Sequence, residues 1–201
     1  MTAPNALEKA QFYIEQGDIQ QARSLIESLL AEDPTGSSAR RMLAFCCHRQ
    51  GQFADSIEHY HSALAKDQRQ APGHAGLAKV YVDLGDFKRA KQLFRQALAI
   101  DPQNADYYLG LARSEMAEQD YMAAEQNLLR ASAYRLDDAN ILLTLSQALL
   151  VQGRFQEALQ HVTRAQEVAP ARIDLVLEVY QTLLHTEAVK KFPRPIEAIM
   201  N

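Results

Sequence analysis

The 201-residue chain has no tryptophan and only two cysteines, Cys46 and Cys47, which are neighbours. Adjacent helical residues point about 100° apart, so these thiols are poorly placed to bridge each other and no disulfide framework can be built. That fits a reducing compartment. No apolar run approaches the roughly 20 residues that span a bilayer. The opening MTAPNALEKAQFYIEQ lacks a basic stretch followed by an apolar one, so no signal peptide is expected and the expected location is cytoplasmic. An excess of one charge is missing too. With 21 Lys and Arg against 25 Asp and Glu, the net charge of −4 gives no global pull toward nucleic acid or anionic membrane. Phosphate loops, nucleophile elbows, paired metal motifs and glycine-rich cofactor fingerprints are all absent. The expectation is therefore a protein that is not an enzyme in its own right, with no cofactor and no resident metal.

What the chain does have is a beat. Gly17, Gly51, Gly85 and Gly153 fall on a lattice of 34 residues, whose remaining node holds Gln119. Ala22, Ala90, Ala124 and Ala158 keep the same spacing, with Ser56 on the fifth position, and Pro34, Pro102 and Pro170 repeat it again. A period of 34 is that of a helix–turn–helix unit stacked on copies of itself. Hydrophobic residues make up 47% of the chain, enough to bury a continuous seam shared between stacked units. The period divides the chain into five units, residues 3–36, 37–70, 71–104, 105–138 and 139–172.

The third unit shows the local logic. Pro72 sits in a first turn, where a missing N–H costs nothing. Leu77, Ala78, Tyr81 and Leu84 recur at helical spacing. Gly85 suits a left-handed helix end, and Asp86 is placed to cap the next helix. Second helices carry a complementary stripe: Ser56, Tyr60 and Ala63; Ala90, Phe94 and Ala97; Ala158, Val162 and Ala165. Small residues at Ala44, Ala78, Ala112 and Ser146 on first helices, with Ala90, Ala124 and Ala158 on second helices, let helix axes approach closely. Phe53, Phe87, Tyr121 and Phe155, two residues past each turn, are expected to plug the gaps between units.

These positions resemble the tetratricopeptide repeat pattern, Trp-x2-Leu-Gly-x2-Tyr followed by Ala, Phe, Ala and Pro. Leu77, Ala78, Tyr81, Gly85, Ala90, Phe94, Ala97 and Pro102 carry it in the third unit, with equivalents across residues 3–172. The resemblance implies an all-α, right-handed α-solenoid of stacked repeats. Departures stand out. The family's Trp slot holds Ala6, Arg40, His74, Tyr108 and Leu142. Unit four has Gln119 for the turn glycine, Glu115 in the aromatic slot and Leu136 for proline, so its turn is expected to differ. Unit two puts Cys47 in the aromatic slot. After Pro170, residues 173–189 read as one further amphipathic helix capping the array, exposing Asp174, Glu178, Gln181 and His185. Residues 190–201 read as an extended tail.

In such arrays the first helices line a groove that holds a partner peptide. Register places Arg41, Phe45, His48 and Arg49 there from unit two, and Ala75, Lys79, Val82 and Asp83 from unit three. Leu109, Arg113, Met116 and Ala117 follow from unit four, and Leu143, Gln147, Leu150 and Val151 from unit five. Arg41, Arg49, Lys79 and Arg113 make the groove basic within an acidic chain, and its far end is expected to be apolar. A scaffold or adaptor binding an acidic and hydrophobic peptide is the leading expectation. The alternatives are a regulatory or substrate-docking domain of a larger enzyme or signalling protein, which Met1 and the proline tail would suit as a fragment, and a self-associating assembly factor. A monomer or weak homo-oligomer is expected. The two-lysine, two-asparagine and arginine clamp of chaperone-tail binders is not matched, since its places hold Leu7, Gln11, Met42, Pro72 and Gly76. The asparagine ladder of repeat-bearing glycosyltransferases is represented by Asn140 alone. Cys46, Cys47, His48, His59 and His61 form a local cluster of soft ligand types, but adjacent cysteines cannot easily face one ion, so packing and surface roles are expected.

Overall fold

The computed structural model describes residues 3–170. Over that span the chain forms ten helices and no strand: α1 (Ala3–Glu15), α2 (Ile19–Glu32), α3 (Ser37–Arg49), α4 (Phe53–Lys66), α5 (Ala71–Asp83), α6 (Phe87–Ile100), α7 (Ala105–Ala117), α8 (Tyr121–Tyr134), α9 (Ala139–Val151) and α10 (Phe155–Val168). Odd-numbered helices are first helices and even-numbered ones second helices. Among the described residues no helix is long and apolar enough to cross a membrane. The expected capping helix at 173–189 and tail at 190–201 lie outside the described residues. Packing groups the chain into two compact units, Met1–Pro102 and Gln103–Asn201, each with its own hydrophobic cluster.

In the first unit consecutive helices from α1 to α6 pack side by side, and α3 also touches α1 and α5. Close approach rests on the small residues: Ala22, Ala44, Ala78 and Ala90 are fully buried. Where the lattice has Ser56 instead of alanine, its hydroxyl donates to the Ala44 carbonyl at 2.7 Å, so the buried polar group is satisfied. Each hairpin turns through a left-handed residue. Gly85 has φ +76°, and its N–H donates to the Val82 carbonyl at 3.0 Å while that of Asp86 donates to Tyr81 at 2.8 Å. Two of the orphan carbonyls that any helix end leaves are thereby used. Asp86 then caps α6, its carboxylate accepting from the Arg89 N–H at 3.0 Å.

The second unit packs α7 against α8, α8 against α9 and α9 against α10, with α7 also touching α9. Ala112, Ala124, Ala158 and Ser146 are fully buried at its core. The expectation of a different turn in unit four is overturned. Gln119 adopts φ 65°, in the region the glycines occupy. The Gln119 N–H donates to Met116 and that of Asp120 to Glu115, both at 2.9 Å. The same pair of turn hydrogen bonds forms, and they hold a side-chain-bearing residue in the left-handed region. Glu115, in the aromatic slot, is buried, and one of its carboxylate oxygens accepts from the Asn127 amide at 2.7 Å. Tyr108 stacks on Tyr134 at 6.0 Å between ring centres. Arg135 ties the start of α7 to that of α9 by bonding both Asp106 (3.0 Å) and Asp138 (2.9 Å).

Candidate functional site

On α3, residues 41, 45, 48 and 49 share one helix face by their three- and four-residue spacing. The structure leaves Arg41, Phe45 and His48 half-buried and Arg49 exposed. On α5 the equivalent face has Lys79 and Asp83 exposed, Val82 half-buried and Ala75 buried. The two helices meet there: His48 Nε2 lies 2.6 Å from Asp83 Oδ2. This bond brings expected groove residues of two different repeats together. The His48 ring also tilts against Phe53, with ring centres 6.0 Å apart.

Sequence reasoning passed over the first unit's opening helix. An open cleft of about 410 Å³ lies between α1 and α3, lined by Leu7, Glu8, Gln11, Phe12 and Glu15 together with Ser38, Arg41 and Met42. Phe12 is 54% exposed. The signal was available: one more 34-residue step back from Arg41, Phe45 and Arg49 lands on Leu7, Gln11 and Glu15.

In the second unit the expected open, apolar end of the groove is not what forms. Leu109 is 9% exposed, Leu143 4% and Leu150 2%, and all three belong to the unit's hydrophobic core with Leu128, Leu145 and Val162. Nine of the thirteen residues of α9 are buried, so little of this helix is left for solvent. Of the expected lining residues here, Arg113, Ala117 and Val151 are exposed, with Met116 and Gln147 half-buried.

Cys46 and Cys47 are fully buried. Burial pushes the Cys46 thiol up to about 11 and raises that of Cys47, so neither is a ready thiolate. His59 is half-buried and His61 exposed on α4. Among the described residues, no three such side chains gather in a way that could hold a metal ion.

A family model described as tetratricopeptide repeat matches residues 13–80, 48–114 and 81–141, and a second of the same description matches 139–164. No curated protein matches the sequence. Among solved structures, TTC0263, a thermophilic TPR protein of Thermus thermophilus, is 26% identical, with 90% of this chain and 98% of that chain covered and a TM-score of 0.76. PilF of Pseudomonas aeruginosa is 16% identical, with 96% and 93% covered and a TM-score of 0.76. YrrB, described as a TPR protein with an unusual peptide-binding site, is 13% identical, with 88% and 90% covered and a TM-score of 0.67.

Proposed function

The chain belongs to the tetratricopeptide repeat family, and from that premise we propose that it is a scaffold whose first-helix faces hold a partner peptide both acidic and hydrophobic. The family's fold is one of protein–protein interaction. The observation that carries the finer reading is how the cations are used. Arg23, Arg89, Arg135, Arg154 and Arg164 are each engaged by a carboxylate. Arg41, Arg49, Lys79 and Arg113, on the first helices, have no ion-pair or hydrogen-bond partner among the described residues. Unpaired guanidinium groups beside apolar surface suit a carboxylate-bearing ligand, which they can grip through two parallel hydrogen bonds. Phe12, Phe45 and Val82 in the first unit and Met116 in the second supply apolar contacts on these faces. YrrB, in the same fold, is described as having an unusual peptide-binding site, which supports peptide binding as a use of this fold.

The test uses the full chain and its cellular partner, recovered by co-purification. Binding to Arg41→Glu, Lys79→Glu and Arg113→Glu variants is measured against the parent chain. Each unit charge reversed at the surface is expected to weaken affinity by about tenfold or more through repulsion of the acidic ligand. Unchanged affinity in all three refutes the reading.

A further inference from the structure

Position 12 behaves differently in α1 from its equivalents along the chain. Steps of 34 residues lead from Phe12 to Cys46, Val80, Ser114 and Ala148, each fully buried, whereas Phe12 is 54% exposed. Cys46 shares a hydrophobic cluster with Ala22 and Ile26 of the repeat before it. The first described helix is α1, so Phe12 has no such cover among the described residues. Its ring lines the open cleft of about 410 Å³ instead, with Leu7 beside it and Met42 on the α3 side. That volume falls within the range of roughly 300–1,000 Å³ over which proteins hold small ligands.

The same step of 34 shows which charges are particular to this cleft. Glu8 has Met42, Gly76, Gly110 and Thr144 as its equivalents, none of them charged. Glu8 and Glu15 stand exposed on the α1 wall and Arg41 half-buried on the α3 wall, all three lining the opening. Glu15 accepts from the Gln11 amide at 3.0 Å. Glu8 and Arg41 have no ion-pair or hydrogen-bond partner among the described residues. Opposite charges on facing walls attract, yet here they do not pair across the opening. An apolar lining between an unpaired acid and an unpaired base is complementary to a ligand carrying the opposite order of charge. We infer that this cleft takes one large apolar side chain of the partner peptide, with a Lys or Arg of the peptide against Glu8 and Glu15 and an Asp or Glu against Arg41. The inference rests on the proposed peptide-binding role and adds what that role leaves open. The ligand's end over α1 is basic, and across the cleft it reads base, apolar residue, acid.

The probes are four end-blocked alanine peptides whose three central residues are Lys-Phe-Glu, Gln-Phe-Glu, Lys-Ala-Glu and Glu-Phe-Glu. Each is titrated, up to millimolar concentration, into the full chain and into a Glu8→Lys, Glu15→Lys double variant, and binding is followed by the NMR amide signals of α1 and α3. The parent chain should bind Lys-Phe-Glu about tenfold more tightly than Lys-Ala-Glu, which lacks the buried ring. It should prefer Lys-Phe-Glu over Gln-Phe-Glu about threefold, the worth of an exposed ion pair. In the double variant Glu-Phe-Glu should overtake Lys-Phe-Glu. Both glutamates are exposed, so the variant should melt with the parent. Equal binding of the phenylalanine and alanine probes overturns the inference, as does a charge preference that the double variant leaves unchanged. Signal changes confined to helices other than α1 and α3, or no binding by any probe, overturn it too. The scaffold reading survives each of these results, because it falls only when Arg41, Lys79 and Arg113 reversals leave the cellular partner's affinity unchanged.

Discussion

Gln119 holds a conformation that glycine holds in the other four turns, with φ 65° against 75–80°. A side chain in the left-handed region costs about 1 kcal/mol, from the approach of Cβ to the following carbonyl. Nothing lies within 4 Å of a Cβ built on Gly85. Gly85→Ala should therefore lose about 1 kcal/mol through backbone strain alone, visible as a lower denaturant midpoint with an unchanged slope. Gln119→Gly should gain less than that, because added freedom of the unfolded chain offsets part of the relief. Two histidines give a pH dependence. Burial is the leading cause that lowers the proton affinity of His59 and of His161 below the ordinary histidine value of 6.5. The unfolded chain then binds protons that the folded one refuses, so their contribution is present above about pH 6.5 and fades as pH falls through it. Melting temperature should drop from about pH 7 toward about pH 5, and more gently in a His59→Gln, His161→Gln double variant. An unaltered profile in that variant would contradict the assignment.

At the scale of single elements, α9 depends on its first residues. The Asp138 carboxylate accepts from the N–H groups of Asn140 at 2.8 Å and Ile141 at 3.3 Å, and it also bonds Arg135. Asp138→Ala removes an N-cap from the helix that fills the second unit's core, at an expected cost of about 1–2 kcal/mol. Asp138→Asn keeps the cap and should recover most of it in thermal unfolding. The elements themselves were legible because each is punctuated by backbone chemistry: a left-handed glycine, a following residue such as Asp86 whose cap is seen at 3.0 Å, a small residue at the crossing. The apolar lining was less legible. Leu143 and Leu150 fall in groove register, but their burial is decided by what surrounds α9 on its other faces, which spacing along one helix does not contain. Gln119 shows the converse: the hydrogen bonds of the hairpin impose the turn although the local residue disfavours it.

For the molecule as a whole, net charge conceals how charge is arranged. The sum is −4, yet Arg23, Arg89, Arg135, Arg154 and Arg164 spend their charge on neighbouring acids, while Arg41, Arg49, Lys79 and Arg113 have no such partner among the described residues. Association with an acidic partner should therefore weaken as salt is raised to about 0.5 M, where screening acts within a few ångströms. The loss should fall chiefly on the association rate, and the Arg41→Glu variant should show a flatter salt response. Binding that is indifferent to salt would count against the charge argument. The repeat class was foreseeable from the 34-residue beat, whereas which cations find an acid partner depends on neighbouring side chains that the beat does not contain. The packing of the Tyr60 ring against Gly76 was not foreseeable, because it joins residues from two different repeats across a space that only the folded packing defines.

The neighbouring thiols near the C-terminal end of α3 carry a last consequence. Cys46 and Cys47 are sealed and held protonated, so alkylating or oxidising reagents can reach them only when this part of the first unit opens. The protein therefore contains its own clock for local opening: a modification rate on native sulfur, which any ligand that clamps the neighbouring helices would slow.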